Sequence, residues 1–143
     1  MSHDSHEDFR AGLDILSPFF EAEGFELVVY PPFAQDESTY LSAQFVWSGR
    51  AVTLVHRSGL ESVVYSIGQM LVEHTAYLEA LGVRPDSAFP PAHDADPAAG
   101  YTALLSDLES RLRPFFDEPD REFFEIAAVH GERGLTSIPG ARP

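Results

Sequence analysis

The sequence predicts an α+β fold in which an N-terminal helix precedes an antiparallel sheet of about four strands, and three further helices pack on that sheet. The main observation is a meander over residues 40–68, where apolar and polar side chains alternate with a period of two. Glycine turns at Ser48-Gly49 and Ser58-Gly59 divide it into three strands. On both sides of the meander the apolar residues recur at helical spacing instead.

The length of the chain predicts one domain. A chain of 143 residues with 44% hydrophobic residues is long enough to bury a single core, and shows no internal repeat. We therefore predict one α+β domain over residues 1–133. A linker rich in proline, at residues 84–97, lies inside it, and residues 134–143 form a flexible tail.

The predicted N-terminal helix begins near Ser5, which is a suitable cap. Pro18 is unfavourable inside a helix and predicts an end or a kink at Ser17. Gly24 marks the latest point at which the helix ends. The apolar stripe of this helix consists of Phe9, Leu13, Leu16 and Phe20.

The meander is joined by one earlier strand. FELVVY (25–30) is typical of a strand, Pro31 and Pro32 close it, and residues 34–39 are predicted to be a polar loop. One face of the resulting sheet is expected to carry the helices and the other to be partly solvated. Within the meander, one side of the first strand has Leu41, Ala43, Phe45 and Trp47, one side of the second has Val52, Leu54 and His56, and one side of the third has Val63, Tyr65 and Ile67.

Three helices are predicted after the sheet. The first covers residues 69–82 and ends at Gly82, and the second begins at Pro97 and ends before Pro114. The third begins near Pro119 and ends at Gly131. Adjacent phenylalanines at 19–20, 115–116 and 123–124 cannot all face one core from one helix. They predict that the C-terminal helices pack on the main body, or that the protein forms a homodimer.

The charge of the chain restricts its partners. The net charge is −14, and all nine basic residues are arginine. Such a chain is repelled by phosphate backbones, so direct nucleic-acid binding is not expected. A basic protein partner, or mimicry of nucleic-acid charge, fits this composition, and so does a role of the acidity in solubility alone. The absence of Lys and Asn, which both use A-rich codons, indicates a GC-rich bacterial genome.

The chain lacks the marks of a secreted or membrane protein. It contains no cysteine, which excludes disulfides and thiolate chemistry. It has no apolar run near the length that spans a bilayer, and its acidic N-terminus does not resemble a secretory signal. We therefore expect a cytoplasmic protein without a membrane partner.

No catalytic, metal-binding or cofactor motif is present, so we predict no catalytic residue, no metal site and no cofactor. Histidine and aspartate cluster twice, at His3, Asp4 and His6 and again at residues 93–96. Both clusters lie in polar segments that offer no rigid support for a ligand set. They are therefore interpreted as solvated segments.

His56 is the most informative histidine. It lies near the end of the second meander strand beside Arg57, and Trp47 and Tyr65 are expected nearby across the sheet. This combination predicts either a small-ligand site on the sheet or a hot spot for a protein partner. Packing at the edge of the sheet explains the same residues without either role.

The order of elements resembles that of small acidic bacterial proteins described as uncharacterised or as polymorphic-toxin immunity proteins. The resemblance is one of pattern over residues 7–83, and is carried by FELVVY, FVWSGRAVTLVHRSGLESVVYSIG and YLEALGV. It implies a non-enzymatic protein that binds one protein partner.

We therefore expect an acidic protein-binding module, such as an immunity or inhibitor protein that masks a basic surface, rather than an enzyme. The alternatives are a homo-oligomeric structural or assembly protein of a phage or secretion system, and a small-ligand site around His56. The candidate partner-binding residues are Asp14, Glu21, Glu23, Asp36, Glu37, Trp47, His56, Arg57 and Tyr65.

Overall fold

A computed structural model describes residues 5–68, 70–83, 87–89, 98–112 and 115–116 of the chain. Within these ranges the protein is α+β, with an N-terminal helix, a six-stranded antiparallel sheet and helices after the sheet. The predicted helix near residues 119–130, the tail at 134–143 and most of the linker at 84–97 lie outside the described residues.

The six strands follow α1 (Ser5–Ala22) without interruption by another helix. Their order in the sheet is β1-β3-β4-β5-β6, and β2 also pairs with β3. In the described part of the chain, α2 (His74–Ala80) and α3 (Ala98–Ser110) follow the last strand. The strands are β1 (Glu26–Val29), β2 (Phe33–Gln35), β3 (Ser38–Trp47), β4 (Arg50–His56), β5 (Leu60–Ile67) and β6 (Met70–Glu73).

The predicted meander is confirmed as β3, β4 and β5. Ala43 pairs with Leu54, and Leu54 pairs with Val63, so the apolar positions of the three strands share one face. The first connecting turn is at Ser48-Gly49, where both residues have positive φ angles of 48° and 80°. These angles are those of the type I′ turn, whose twist matches that of the strands it joins.

The strand number is larger than the predicted four. Residues 34–39, predicted as a polar loop, instead form β2, a two-residue turn and the start of β3. The turn residues Asp36 and Glu37 have φ angles of 52° and 63°, again typical of a type I′ turn. The prediction failed because Glu37 stands at the position where such a turn normally has glycine.

β1 and β2 are two parts of one interrupted edge strand. Val29 pairs with Ala43 and Phe33 pairs with Tyr40. The edge strand therefore advances by four residues between these pairs, while β3 advances by three. The extra residue makes a bulge at Pro31-Pro32, where proline is tolerated because the ladder is already interrupted.

The helix predicted over residues 69–82 is wrong in its first half. Residues 70–73 form β6, and only His74–Ala80 are helical. Gly68 has a φ of 62°, which permits the tight reversal that pairs Ile67 with Met70. A short apolar run such as residues 70–72 is compatible with a strand as well as with a helix. The hydrogen bonds to β5 therefore determine that these residues form a strand.

α1 does not end at Ser17, which was one of the two predicted outcomes, but continues through Pro18 and reaches Ala22. Pro18 leaves the carbonyl of Asp14 without its helical donor, and both residues are exposed. The Ser17 hydroxyl donates to the Leu13 carbonyl at 2.7 Å and adds a local bond next to the proline. Burial of Leu16 and Phe20 on the other face holds the helix together.

The helices cover one face of the sheet and enclose a single hydrophobic core with it. α1 lies close to α3 because Gly12 has no side chain: a Cβ placed there would lie 2.5 Å from ring atoms of Tyr101. The stacked rings of Phe20 and Phe45, 4.1 Å apart, join α1 to β3.

The opposite face of the sheet combines a smaller apolar cluster with a polar chain. Val55 and Val64 are buried there. The Tyr30 hydroxyl donates to Gln44 at 2.6 Å, and the Gln44 amide donates to Thr53 at 2.8 Å. This mixture fits a face that is only partly solvated.

Candidate functional site

His56 belongs to the core and not to an accessible site. Its side chain is fully buried, Nδ1 lies 2.6 Å from the hydroxyl oxygen of Tyr101, and its ring is 5.3 Å from that of Phe9. Burial lowers the pKa of His56, and the nearby carboxylate of Asp8 opposes this shift in part. His56 is therefore a neutral, packed ring at neutral pH.

Tyr65 is also buried, and it begins a chain of hydrogen bonds through the core. Its hydroxyl oxygen lies 2.7 Å from Nδ1 of His74, and Nε2 of His74 lies 2.9 Å from Oδ2 of Asp107. The Ser87 hydroxyl donates to the same oxygen at 2.6 Å, and Arg111 donates to Oδ1 of Asp107 at 3.2 Å. We call Tyr65, His74, Ser87, Asp107 and Arg111 the buried network.

The protonation states in the buried network follow from its surroundings. Burial alone would raise the pKa of Asp107, but hydrogen bonds from His74 and Ser87 and the guanidinium of Arg111 hold it below its usual range. Burial, with the nearby Asp107 charge, raises the pKa of Tyr65 well above its ordinary value. The Asp107 carboxylate thus accepts from Nε2 of His74, and the Tyr65 hydroxyl pairs with Nδ1 of the same ring.

A tyrosine, histidine and aspartate in line have the chemistry of a proton relay, but these three side chains have no accessible surface. No substrate can touch them in this conformation. What the buried network does is connect β5, α2, α3 and the segment at 87–89 through satisfied polar contacts.

Arg57 lies apart from His56 and Tyr65. It is exposed, pairs with Glu61 at 2.9 Å, and its guanidinium lies 5.8 Å from the ring centre of Tyr40. The structure therefore does not bring His56, Arg57 and Tyr65 together in one accessible site.

Exposed apolar side chains are concentrated at one edge of the sheet. Leu27, Val28, Val29 and Trp47 expose 40, 39, 57 and 43% of their surface. Trp47 adjoins β1 because its neighbour Val46 pairs with Glu26. We call Leu27, Val28, Val29 and Trp47 the edge surface.

An open depression of about 590 Å³ adjoins the edge surface. Arg50 stacks on Trp47 with its guanidinium 5.0 Å from the ring centre, and it donates to the carbonyl of Phe116 at 3.3 Å. The depression is lined by Gly24, Glu26, Val46, Trp47, Ser48, Gly49, Arg50, Ala51, Ser66 and Gly68.

Acidic residues lie at both ends of the interrupted edge strand. Glu26 is exposed at its first residue, Glu21 is exposed in the last turn of α1 before it, and Asp36 and Glu37 are exposed at the turn after β2. Of the other acidic candidates, Asp14 is exposed on α1 and Glu23 is half-buried after it. Residues 11–49 include six acidic residues and no basic one.

Sequence reasoning proposed Trp47 and the acidic residues as candidates, and it missed two features of the structure. FELVVY was interpreted as a strand but not as an exposed one, because an unbroken apolar run is the usual pattern of a buried strand. Asp107, which lies between Leu104 and Leu108 on the apolar side of α3, was the available signal for the buried network.

Among the described residues, no group of three or more histidine or acidic side chains is placed to hold a metal ion. In the same residues no helix has the length and apolar character needed to cross a membrane. No protein-family model matches the chain, and no curated protein or solved structure is significantly similar to it. The resemblance to immunity-like bacterial proteins thus stays a prediction.

Proposed function

We propose that this chain is an acidic protein-binding module that masks a basic surface of one partner protein, as an immunity or inhibitor protein does. The observation that supports this most strongly is the edge surface. It contains four large exposed apolar side chains along one edge of the sheet, with Val28 on the face opposite to the other three, and exposed carboxylates flank it. Contiguous exposed apolar surface with a polar rim is typical of interaction sites.

Trp47 and the carboxylates are expected to contribute to binding in different ways. Trp47 is the anchor, because a half-exposed tryptophan has large apolar area to bury and tryptophan dominates many hot spots. The carboxylates of Glu21, Glu26, Asp36 and Glu37 steer a basic partner and mainly raise the association rate. Burial of His56 and Tyr65 argues against the small-ligand alternative, because neither side chain is accessible.

The test is capture of partners from an extract of the source organism by the immobilised full chain at low salt. We expect a basic protein that elutes as salt rises. We expect Trp47→Ala to lose it. The double variant Asp36→Asn/Glu37→Gln is expected to slow association several-fold, by about the amount that a steering contribution supplies.

The matched control is Glu79→Gln/Glu109→Gln, which removes the same two charges from exposed positions on α2 and α3. It is expected to bind as the unmodified chain does. Capture that is insensitive to salt and unchanged by all these variants would contradict the proposal.

The homo-oligomeric alternative is favoured by the same apolar edge, since a second copy could cover it. Light scattering of the pure chain over a range of concentrations separates the two possibilities. A monomer at all concentrations supports a dedicated partner, whereas a stable oligomer that Trp47→Ala dissociates supports a structural or assembly role.

A further inference from the structure

We propose that β1 accepts an extended segment of a basic partner protein as an additional strand of the sheet. This inference rests on the proposed function and specifies how the edge surface holds its partner. β1 is the terminal strand in the sheet order, and within the described ranges it pairs with β3 alone. An edge strand presents backbone N–H and C=O groups with which another chain can pair.

The register identifies which backbone groups of β1 point outward. The Tyr30 N–H donates to the Ser42 carbonyl at 3.0 Å, and β1 continues in the same register. In an antiparallel ladder, residues that bond to the partner strand alternate with residues that do not. The backbone N–H and C=O groups of Val28 therefore point toward β3. Those of Leu27 and Val29 point to the free edge of the sheet.

The side chains of β1 are suited to a second strand on both faces of the sheet. Leu27 and Val29 are opposite Phe45 and Ala43 and lie on the core side, whereas Val28 lies on the other side. All three are exposed at present. An added strand would bury them through cross-strand pairs with its own apolar side chains.

The charge around β1 selects a basic occupant over a second copy of this chain. Glu21 and Glu26 lie at one end of the edge, and Asp36 and Glu37 lie at the other. A second copy would bring the same carboxylates into this region and add its own net charge of −14. A segment with an apolar centre and arginine or lysine at its ends meets Glu26 at one end of β1, and Asp36 and Glu37 beyond β2 attract it over a longer range.

The test uses a variant that blocks the free edge but preserves the ladder to β3. Leu27→Pro removes an outward N–H and puts ring carbons in its place, while the inward bonds of β1 remain. Leu27→Val is the matched control, because it keeps the N–H and an apolar side chain. Circular dichroism and thermal unfolding establish that both variants fold.

The probe is a synthetic peptide with alternating valine and threonine over about six residues, the usual length of a strand, and arginine at both ends. Binding to the full chain is measured by fluorescence anisotropy. We expect Leu27→Pro to weaken binding by about tenfold or more, as the loss of one or two net hydrogen bonds predicts. Leu27→Val should bind within about threefold of the unmodified chain, because only one methylene is lost.

Two peptide controls sharpen the result. The same peptide with glutamate at its ends is expected to bind much more weakly. N-methylation of alternate peptide nitrogens is expected to abolish binding for one of the two alternating sets and to leave it for the other, because an added strand uses only one of its edges.

Equal binding by Leu27→Pro and Leu27→Val would overturn strand addition, and so would failure of the arginine-ended peptide to bind. A dimer of the unmodified chain that Leu27→Pro converts to a monomer would show that the occupant is a second copy. In each case the loss of the captured partner by Trp47→Ala still tests the proposed function separately.

Discussion

At the scale of single residues, the absence of a side chain at Gly12 decides how close α1 and α3 can approach. Glycine is unfavourable in a helix, so propensity alone predicts a gain of about 1 kcal/mol from alanine. A Cβ at this position would lie 2.5 Å from the Tyr101 ring, and that ring is held by its contact with His56.

We therefore expect Gly12→Ala to lower the free energy of unfolding by about 1–2 kcal/mol, since overpacking outweighs helix propensity. Chemical denaturation measures this change. In the background of Tyr101→Ala, where the ring is absent, Gly12→Ala should instead be neutral or stabilising. A destabilisation of the same size in both backgrounds would show that the ring is not the cause.

The burial of His56 predicts a pH dependence of stability. Its pKa is lowered in the folded state, so below the ordinary value near 6.5 the unfolded chain takes up a proton that the folded chain does not. The contribution of His56 to the free energy of unfolding is fully present above about pH 6.5. It is lost as the pH falls below that value, by at most about 1.4 kcal/mol per pH unit.

The prediction is measured as the difference in unfolding free energy between pH 7.5 and 5.5. His56→Gln should be less stable than the unmodified chain at pH 7.5 but should lose less stability on acidification. The variant His6→Gln, at an exposed position, serves as control. An identical loss in the unmodified chain and in His56→Gln would show that other groups titrate.

The burial of single residues was predicted correctly where the apolar pattern of the sequence alone determines it. The stripe from Phe9 to Phe20 is buried as expected, and so is most of the apolar side of the meander, but Trp47 at its end is exposed. The candidate site around His56 was placed on the correct strand but not given the correct accessibility. A histidine on an apolar face has the same sequence pattern whether it faces a ligand or Tyr101, and only the packing of α3 distinguishes the two.

At the scale of elements, the β2–β3 hairpin has a turn whose sequence does not suit its geometry. Asp36 and Glu37 both have positive φ angles, and an ordinary residue in this region costs about 1–2 kcal/mol. Glu37→Gly should relieve this cost, less the entropy that glycine adds to the unfolded chain. We expect a net gain in stability of about 0.5–1 kcal/mol by chemical denaturation.

The control for this prediction is Thr39→Gly, at an exposed position of the adjoining strand. It should lower stability by about 0.5–1 kcal/mol, because glycine weakens an ordinary strand. If both glycine variants are destabilising to the same extent, Glu37 does not carry the strain that its φ angle indicates.

Elements were predictable where local pattern and long-range pairing agree. The meander has glycine turns, alternation and short connections, so its strands were identified. β2 and β6 are short segments whose strand character comes from pairing with β3 and β5. Since a short apolar run such as residues 70–72 is compatible with either period, its partner strand decides, and sequence alone does not contain that information.

At the scale of the whole molecule, the net charge of −14 lowers the free energy of unfolding, because like charges repel one another in the compact folded state. Salt screens this repulsion. We expect added sodium chloride to raise the free energy of unfolding on the order of 1 kcal/mol. Glu79→Gln/Glu109→Gln should be more stable than the unmodified chain at low salt and should gain less from added salt.

Thermal unfolding over a salt series measures the effect. Sodium perchlorate and sodium chloride at equal ionic strength should give similar shifts if screening is responsible. A shift that follows the identity of the salt instead of its ionic strength would point to surface exclusion effects rather than to charge.

The interruption at Pro31-Pro32 has a consequence for self-association. Cross-β stacking needs an unbroken exposed segment of about six or seven residues. The two prolines divide the outer edge of the sheet into four residues of β1 and three of β2. A single guest strand has room on β1, but neither piece is long enough to template a fibril. The chain can thus expose an apolar edge and still avoid the aggregation that an uninterrupted edge invites.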